Sequence, residues 1–212
     1  MKLLKVVLCG AVVASSLCVQ QASAVGMGPY LRSRSADATW DSDGQGEADA
    51  THDSISIGVT LDTAVARNSV FNYRLDLGYF QMNHEFDDYN DEVEFTGLEW
   101  NNTFGFAVYR GRWTRLWLGP ALRFTYANGE EDHYGSADDF VLFSAGLGPV
   151  FGGNHHCGSV MSIGWAIDYM FQAGTVSWEN SGGDDDATLT ETGLSAALYF
   201  IFHMGGEDRS VY

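Results

Sequence analysis

Between Met161 and Phe171 the chain alternates at every residue: Met161, Ile163, Trp165, Ile167, Tyr169 and Phe171 stand against Ser162, Gly164, Ala166, Asp168 and Met170. Successive side chains leave a strand on opposite sides, so this period specifies a strand. One face is apolar and aromatic, and the other is mostly small, polar or charged. The pattern recurs. Ile55, Ile57, Val59 and Leu61 oppose Ser56, Gly58, Thr60 and Asp62, while Phe71, Tyr73, Leu75, Leu77 and Tyr79 oppose Asn72, Arg74, Asp76 and Gly78. Eight strands are predicted, at 25–34, 54–65, 69–83, 93–109, 114–127, 139–151, 159–173 and 188–203.

Alternation alone also suits a soluble barrel with its apolar face inward. What occupies the polar face decides against it. That face is rich in glycine, including Gly58, Gly78, Gly105, Gly119, Gly146, Gly148, Gly164 and Gly193. A narrow interior needs small residues, whereas a solvated exterior does not. The same face carries Arg32, Arg34, Arg74, Arg115 and Arg123 beside Asp62, Asp76, Glu99 and Asp168. Near balance is what an interior requires, because a buried charge needs a partner. The fold class is therefore all-β, an eight-stranded antiparallel up-and-down transmembrane barrel with the apolar face toward lipid.

The first residues read as a secretory leader. Lys2 and Lys5 form a basic start, Val6–Val19 is apolar but too short to span a bilayer, and Ala22-Ser23-Ala24 offers a cleavage site. Three parts are expected: a cleaved signal peptide at 1–24, the barrel at 25–204 and a short tail at 205–212. Acylation at Cys9 or Cys18 is the lesser reading, since Leu8 and Leu17 precede them where small residues are preferred. Past residue 24 no apolar run reaches the ~18–20 residues of a transmembrane helix. Only Cys157 remains there, so no intrachain disulfide is expected. The formal net charge of −17 excludes bulk electrostatic binding to nucleic acid.

Connections are expected to alternate. Long ones fall at 35–53, 84–92, 128–138 and 174–187, and short ones at 66–68, 110–113 and 152–158. The long ones hold most of the acids, while Arg67, Arg110 and Arg112 sit in the short ones. An even strand number puts both termini on the short-turn side, which faces the periplasm, and the acidic loops outside. All three prolines follow inward glycines, as Gly28-Pro29, Gly119-Pro120 and Gly148-Pro149. Proline donates nothing to the ladder, so bulges or frayed rungs are expected there.

With this strand pattern, glycine-lined interior and loop asymmetry, residues 25–204 resemble the small eight-stranded outer-membrane barrels of the OmpA, OmpX and OmpW kind. The resemblance is architectural, so it implies the outer membrane of a Gram-negative envelope, not an activity. It also implies a terminal aromatic for the assembly machinery. Phe200 and Phe202 suit that role, although His203–Tyr212 continues beyond them and leaves the register of the last strand open.

Asp41, Asp43, Glu47 and Asp49 loosely follow a calcium loop, but His52 stands where a bidentate carboxylate belongs. Diffuse divalent-cation binding beside lipopolysaccharide phosphates fits better. His155, His156 and Cys157 offer metal-ligand types, yet three consecutive residues rarely converge on one ion, so a plain turn is expected. His133 and Ser136, near Glu130 and Glu131, invite a hydrolytic reading that their Gly/Asp-rich surroundings disfavour. No cofactor, metal or catalytic residue is expected. Tyr73, Tyr79, Trp100, Tyr126, Trp165 and Tyr169 read as lipid-facing or interfacial anchors. Trp40 and Trp178, beside acidic loops, suit either an external contact or packing between loops.

The expected role is structural or one of surface interaction, by a monomer whose lumen is closed by the charged network. A narrow channel or lateral pathway for small or hydrophobic solutes is the alternative, and a lipid A-modifying enzyme comes third.

Overall fold

The computed structural model describes residues 25–42, 46–63, 69–86, 92–133, 136–180 and 183–204. The expected leader at 1–24, the tail at 205–212, Arg67 and Asp43 lie outside the described residues. The strands are β1 (Val25–Ser42), β2 (Gly46–Asp62), β3 (Phe71–Phe86), β4 (Glu92–Arg110), β5 (Thr114–His133), β6 (Ser136–Cys157), β7 (Met161–Asn180) and β8 (Gly183–Met204). Each pairs antiparallel with its sequence neighbours, and β1 pairs with β8 to close the barrel. Closure leaves no strand edge unpaired.

The strands are longer than a membrane needs. They run from 16 residues in β3 to 22 in β6 and β8, against the roughly 9–11 that span a bilayer. Near the end that carries the termini, the outward positions are greasy: Leu31, Ile57, Leu77, Leu98, Leu147 and Leu198 are all exposed. Toward the far end the outward positions turn polar, with Asp37, Asp53, Gln81, Glu85 and Thr190 exposed. At the same level the inward positions turn apolar, with Ala38, Trp40, Phe80, Met82, Phe95 and Leu189 buried. Parity is unbroken while polarity inverts. A wall that faces lipid puts its apolar side out, and a wall that faces water puts it in.

This inversion corrects the expected connections. Where long loops were expected at 35–53, 84–92, 128–138 and 174–187, the hairpins stay paired nearly to their tips, to Ser42↔Gly46, Glu85↔Glu92, His133↔Ser136 and Asn180↔Gly183. The turn after β6 is also shorter than expected, Gly158–Val160, with Gly158 at a φ of 83° that favours glycine.

Each Gly-Pro step removes rungs without shifting register. In β6–β7 the ladder goes from Leu147↔Phe171 to Val150↔Asp168, and in β1–β8 from Met27↔Phe202 to Tyr30↔Tyr199. Pro120 lies opposite Pro149 in β5–β6. An irregularity at Ala107/Tyr109 of β4 is the one shift in its pairing with β5.

Candidate functional site

The inward face is layered along the barrel axis. In the middle, Arg32 of β1 is the hub. Its Nη1 donates to Glu99 Oε1 at 2.6 Å and its Nη2 to Asp76 Oδ2 at 2.6 Å. Tyr30 and Ser56 donate to Glu99, each at 2.8 Å, while Thr60 at 2.7 Å and Tyr199 at 3.1 Å donate to Asp76. Beside this cluster, Arg123 Nη2 donates to Asp168 Oδ1 at 2.9 Å and to Ser195 Oγ at 3.0 Å, and Ser195 donates to the same carboxylate. Toward the terminal end, Arg74 Nε donates to Asp62 at 3.0 Å, and Asn154 Nδ2 does so at 3.0 Å. The Arg74 guanidinium lies 3.9 Å over the Tyr199 ring. Arg115 is buried in the same region.

Glycines make room for these groups. A Cβ on Gly78 would fall 2.1 Å from the Tyr30 hydroxyl, and one on Gly152 would fall 2.3 Å from the Trp117 ring. Trp117 is wholly buried and donates to Asn154 Oδ1 at 3.0 Å.

Above this level Arg34 Nη2 donates to Glu191 Oε2 at 2.7 Å, and Gln172 Nε2 donates to the same oxygen at 3.1 Å. Glu191 supplies the anion that the sequence reading lacked. Among the described residues, five buried arginines (Arg32, Arg34, Arg74, Arg115, Arg123) now face five buried acids (Asp62, Asp76, Glu99, Asp168, Glu191). His52 and His84 stand beside Glu191, above the apolar belt and level with outward Asp53 and Asn83. Burial disfavours the imidazolium and lowers His52 to about 3 and His84 to about 4, against the pull of Glu191. Burial pushes the Glu191 carboxyl upward, but Arg34 and the two histidines outweigh it and leave it below its ordinary value.

The uppermost layer is aromatic. Phe86 lies 5.2 Å from Trp40, Trp40 6.2 Å from Phe95, Phe95 6.3 Å from Phe140, and Phe140 5.8 Å from Trp178. These five rings come from β3, β1, β4, β6 and β7, so together they cross the bore. Of the two readings open for Trp40 and Trp178, packing is what the structure shows. Trp40 is buried and Trp178 half-buried in this plug.

The fold has a solved counterpart. The outer membrane protein OprG from Pseudomonas aeruginosa superposes with a TM-score of 0.57, at 12% identity, over 84% of this chain and 97% of its own. The fold is that of the small eight-stranded outer-membrane β-barrels. A major outer membrane protein from Thermus thermophilus (TM-score 0.42, 14% identity, 81% of this chain and 98% of its own) is also similar. So is Neisserial surface protein A (TM-score 0.40, 14% identity, 81% and 97%). No protein-family model matches the chain, and no curated protein does.

The remaining candidate groups lie at the ends of the barrel wall. Asp41, Glu47 and Asp49 share the outward face at the tip of β1–β2, where Asp41 is the Cα partner of Glu47 and Thr39 donates to Asp49 at 3.1 Å. The strand splits His155, His156 and Cys157: His155 and Cys157 point out, and buried His156 shares a 2.9 Å hydrogen bond with Ser162 Oγ. His133 and Ser136 are Cα partners on the last rung of β5–β6. Among the aromatics, Tyr73 departs from expectation. It has the outward parity but is wholly buried, and its hydroxyl donates to Asn102 Oδ1 at 2.7 Å. An amide on the lipid side costs free energy unless it is paired, and the leaning phenol provides that partner.

Proposed function

We propose that this barrel is a closed outer-membrane scaffold that presents rigid acidic hairpins outside the cell. The carrying observation is that two unlike side-chain layers stand in series along the bore, the Arg32–Asp76–Glu99 cluster and the ring-to-ring contacts from Phe86 to Trp178. Eight strands leave an interior that side chains can fill, so neither layer needs a moving part. In this reading residues 1–24 are a cleaved leader, both termini face the periplasm and the barrel is monomeric. The hairpins stand clear of the membrane because their pairing continues beyond the apolar belt. The opposed carboxylates Asp41 and Glu47, with Asp49, repel unless screened, and divalent cations shared with lipopolysaccharide phosphates would screen them. The role is structural support or contact with an external partner, with no catalytic part for His133 or Ser136. Planar-bilayer recording tests the closure. Silence across the voltage range is expected, and reproducible conductance steps from the wild-type protein would reject it.

One observation favours a second reading, a lateral pathway for small apolar solutes. A groove of about 990 Å³ opens in the wall where Pro120 faces Pro149, lined by Leu118, Leu147, Phe151, Ile167 and Phe171, with Asp168 also at its surface. The β5–β6 ladder continues through this pair, but neither proline donates to its other neighbour. Rungs are missing between Thr103↔Ala121 and Phe106↔Leu118 and between Leu147↔Phe171 and Val150↔Asp168. Uptake of an apolar dye by vesicles carrying the wild type but not Pro120→Val/Pro149→Val would move the assignment to this reading.

A further inference from the structure

We propose that His52, His84 and Glu191 form a binding site for one divalent transition-metal ion of the zinc class, inside the barrel beneath the aromatic plug. The three residues come from β2, β3 and β8, and all are buried. His52 and His84 are Cα partners, and their rings stack at 4.8 Å. Glu191 reaches them across β1, which presents only Ala36 and Ala38 between them.

The spacing suits coordination. Glu191 Oε1 lies 3.3 Å from His52 Nδ1 and 3.7 Å from His84 Nε2, and one ligand atom from each residue falls within 4.8 Å of the others. Ligands at ~2.0–2.1 Å from a tetrahedral ion stand roughly 3.4 Å apart. Two edges already match, and the third is no longer than 4.8 Å.

The second, independent observation is hydrogen bonding. Both ring nitrogens of His52, Nε2 of His84 and Oε1 of Glu191 are buried and make no hydrogen bond. Buried polar atoms carry a cost of that kind only when something offsets it, and here His52 Nδ1 and His84 Nε2 both lie beside Glu191 Oε1. The other oxygen, Oε2, is tied to Arg34 and Gln172. Anchoring one carboxylate oxygen while the other faces the ion is how an outer shell orients a ligand. Because Arg34 already balances Glu191, the ion is held chiefly by imidazole nitrogen. That selects for zinc, copper, nickel or cobalt over magnesium and calcium. Three protein ligands leave a fourth position for water.

Binding also reaches the plug. The Trp40 indole N–H donates to His84 Nδ1 at 3.3 Å. A neutral His84 that binds metal through Nε2 carries its proton on Nδ1, so the indole must turn away.

The test uses the folded full-length barrel in detergent, with Zn²⁺ and Co²⁺ alone as probes. One Zn²⁺ per barrel should bind saturably, and His84→Ala and Glu191→Gln should each weaken it at least as much as the roughly 10–100-fold of an outer-shell change. Bound Co²⁺ should show ligand-field bands without a sulfur charge-transfer band. Trp40→Phe should keep the ion and lose the metal-linked fluorescence change. The proposal falls if no saturable binding occurs, or if His84→Ala binds normally. It also falls if binding is abolished by Cys157→Ser or by Asp41→Asn/Glu47→Asn/Asp49→Asn. Should a variant fail to shift on an unheated gel, the wild-type Co²⁺ spectrum decides: a sulfur band or no band rejects the site.

Discussion

Asp168 carries the charge on the small, polar face of β7, where Arg123 is its ion-pair partner and Ser195 also donates to it. Arg123 reaches it at 2.9 Å, and both side chains are almost wholly buried. Removing one member of such a pair leaves an uncompensated charge, which costs about 3–5 kcal/mol, whereas replacing both by apolar groups is often neutral. Asp168→Ala should therefore lower the unfolding free energy in lipid vesicles by about that amount, and Asp168→Ala/Arg123→Met should recover most of it. Equal losses in the single and double variants would show that the pair is not the relevant unit. Gly78 makes a second residue-level case, because its missing side chain is the space that the Tyr30 hydroxyl uses on its way to Glu99. Gly78→Ala should cost about 1–3 kcal/mol through overpacking, and less in a Tyr30→Phe background. Urea titration of the four proteins measures both effects.

At the scale of the strand, parity is legible in the sequence and polarity is not. The inward parity of Arg32, Arg34, Asp62, Arg74, Asp76, Glu99, Arg115, Arg123 and Asp168 follows from period two alone, and all nine are buried. The strands read too short from sequence because an apolar outward face marks a strand only inside lipid. In β8, Leu194, Leu198 and Phe202 point out, whereas farther along Leu189 and Ala187 point in and Thr188, Thr190 and Thr192 point out. The same rule of burial produces both patterns once the solvent changes. His52 and His84 escape a sequence reading for this reason: each has inward parity but lies past the inversion and so reads as loop, while Glu191 falls within the predicted strand 188–203 and reads only as an acid near its tip. Extending parity through the inversion finds them. It also gives a paired prediction. Leu189→Lys buries an unpaired charge and should cost about 3 kcal/mol or more. Its neighbour Thr190→Lys faces water and should stay within about 0.5 kcal/mol. Comparable losses at both sites would mean that the hairpin above the belt is not a continuous wall.

For the whole molecule, the two layers proposed to close the bore differ in physics, and that difference makes their arrangement testable. The plug is held by ring packing among Trp40, Phe86, Phe95, Phe140 and Trp178, and it has no charge to attract an ion. The lower cluster is held by charge and hydrogen bonds around Arg32. Closures in series act as an either-or block, since ions must pass both. Trp40→Ala/Phe95→Ala should open the upper layer yet stay silent in a planar bilayer, because Arg32, Asp76 and Glu99 still fill the bore. Arg32→Ala/Asp76→Ala/Glu99→Ala should also stay silent, because the rings remain above. Only the combined variant should show discrete steps, with gel mobility confirming that it is folded. Steps from either set alone would show that one layer bears the whole block and that the other merely lines the wall. The order of the layers also sets what each can do. In the proposed closed barrel the water-side aromatics shield the charged cluster from solvent, and its ion pairs then sit in a low-dielectric setting where each hydrogen bond is stronger than at a surface. On the proposed reading, electrostatics close the bottom of the barrel because the rings at the top keep water out.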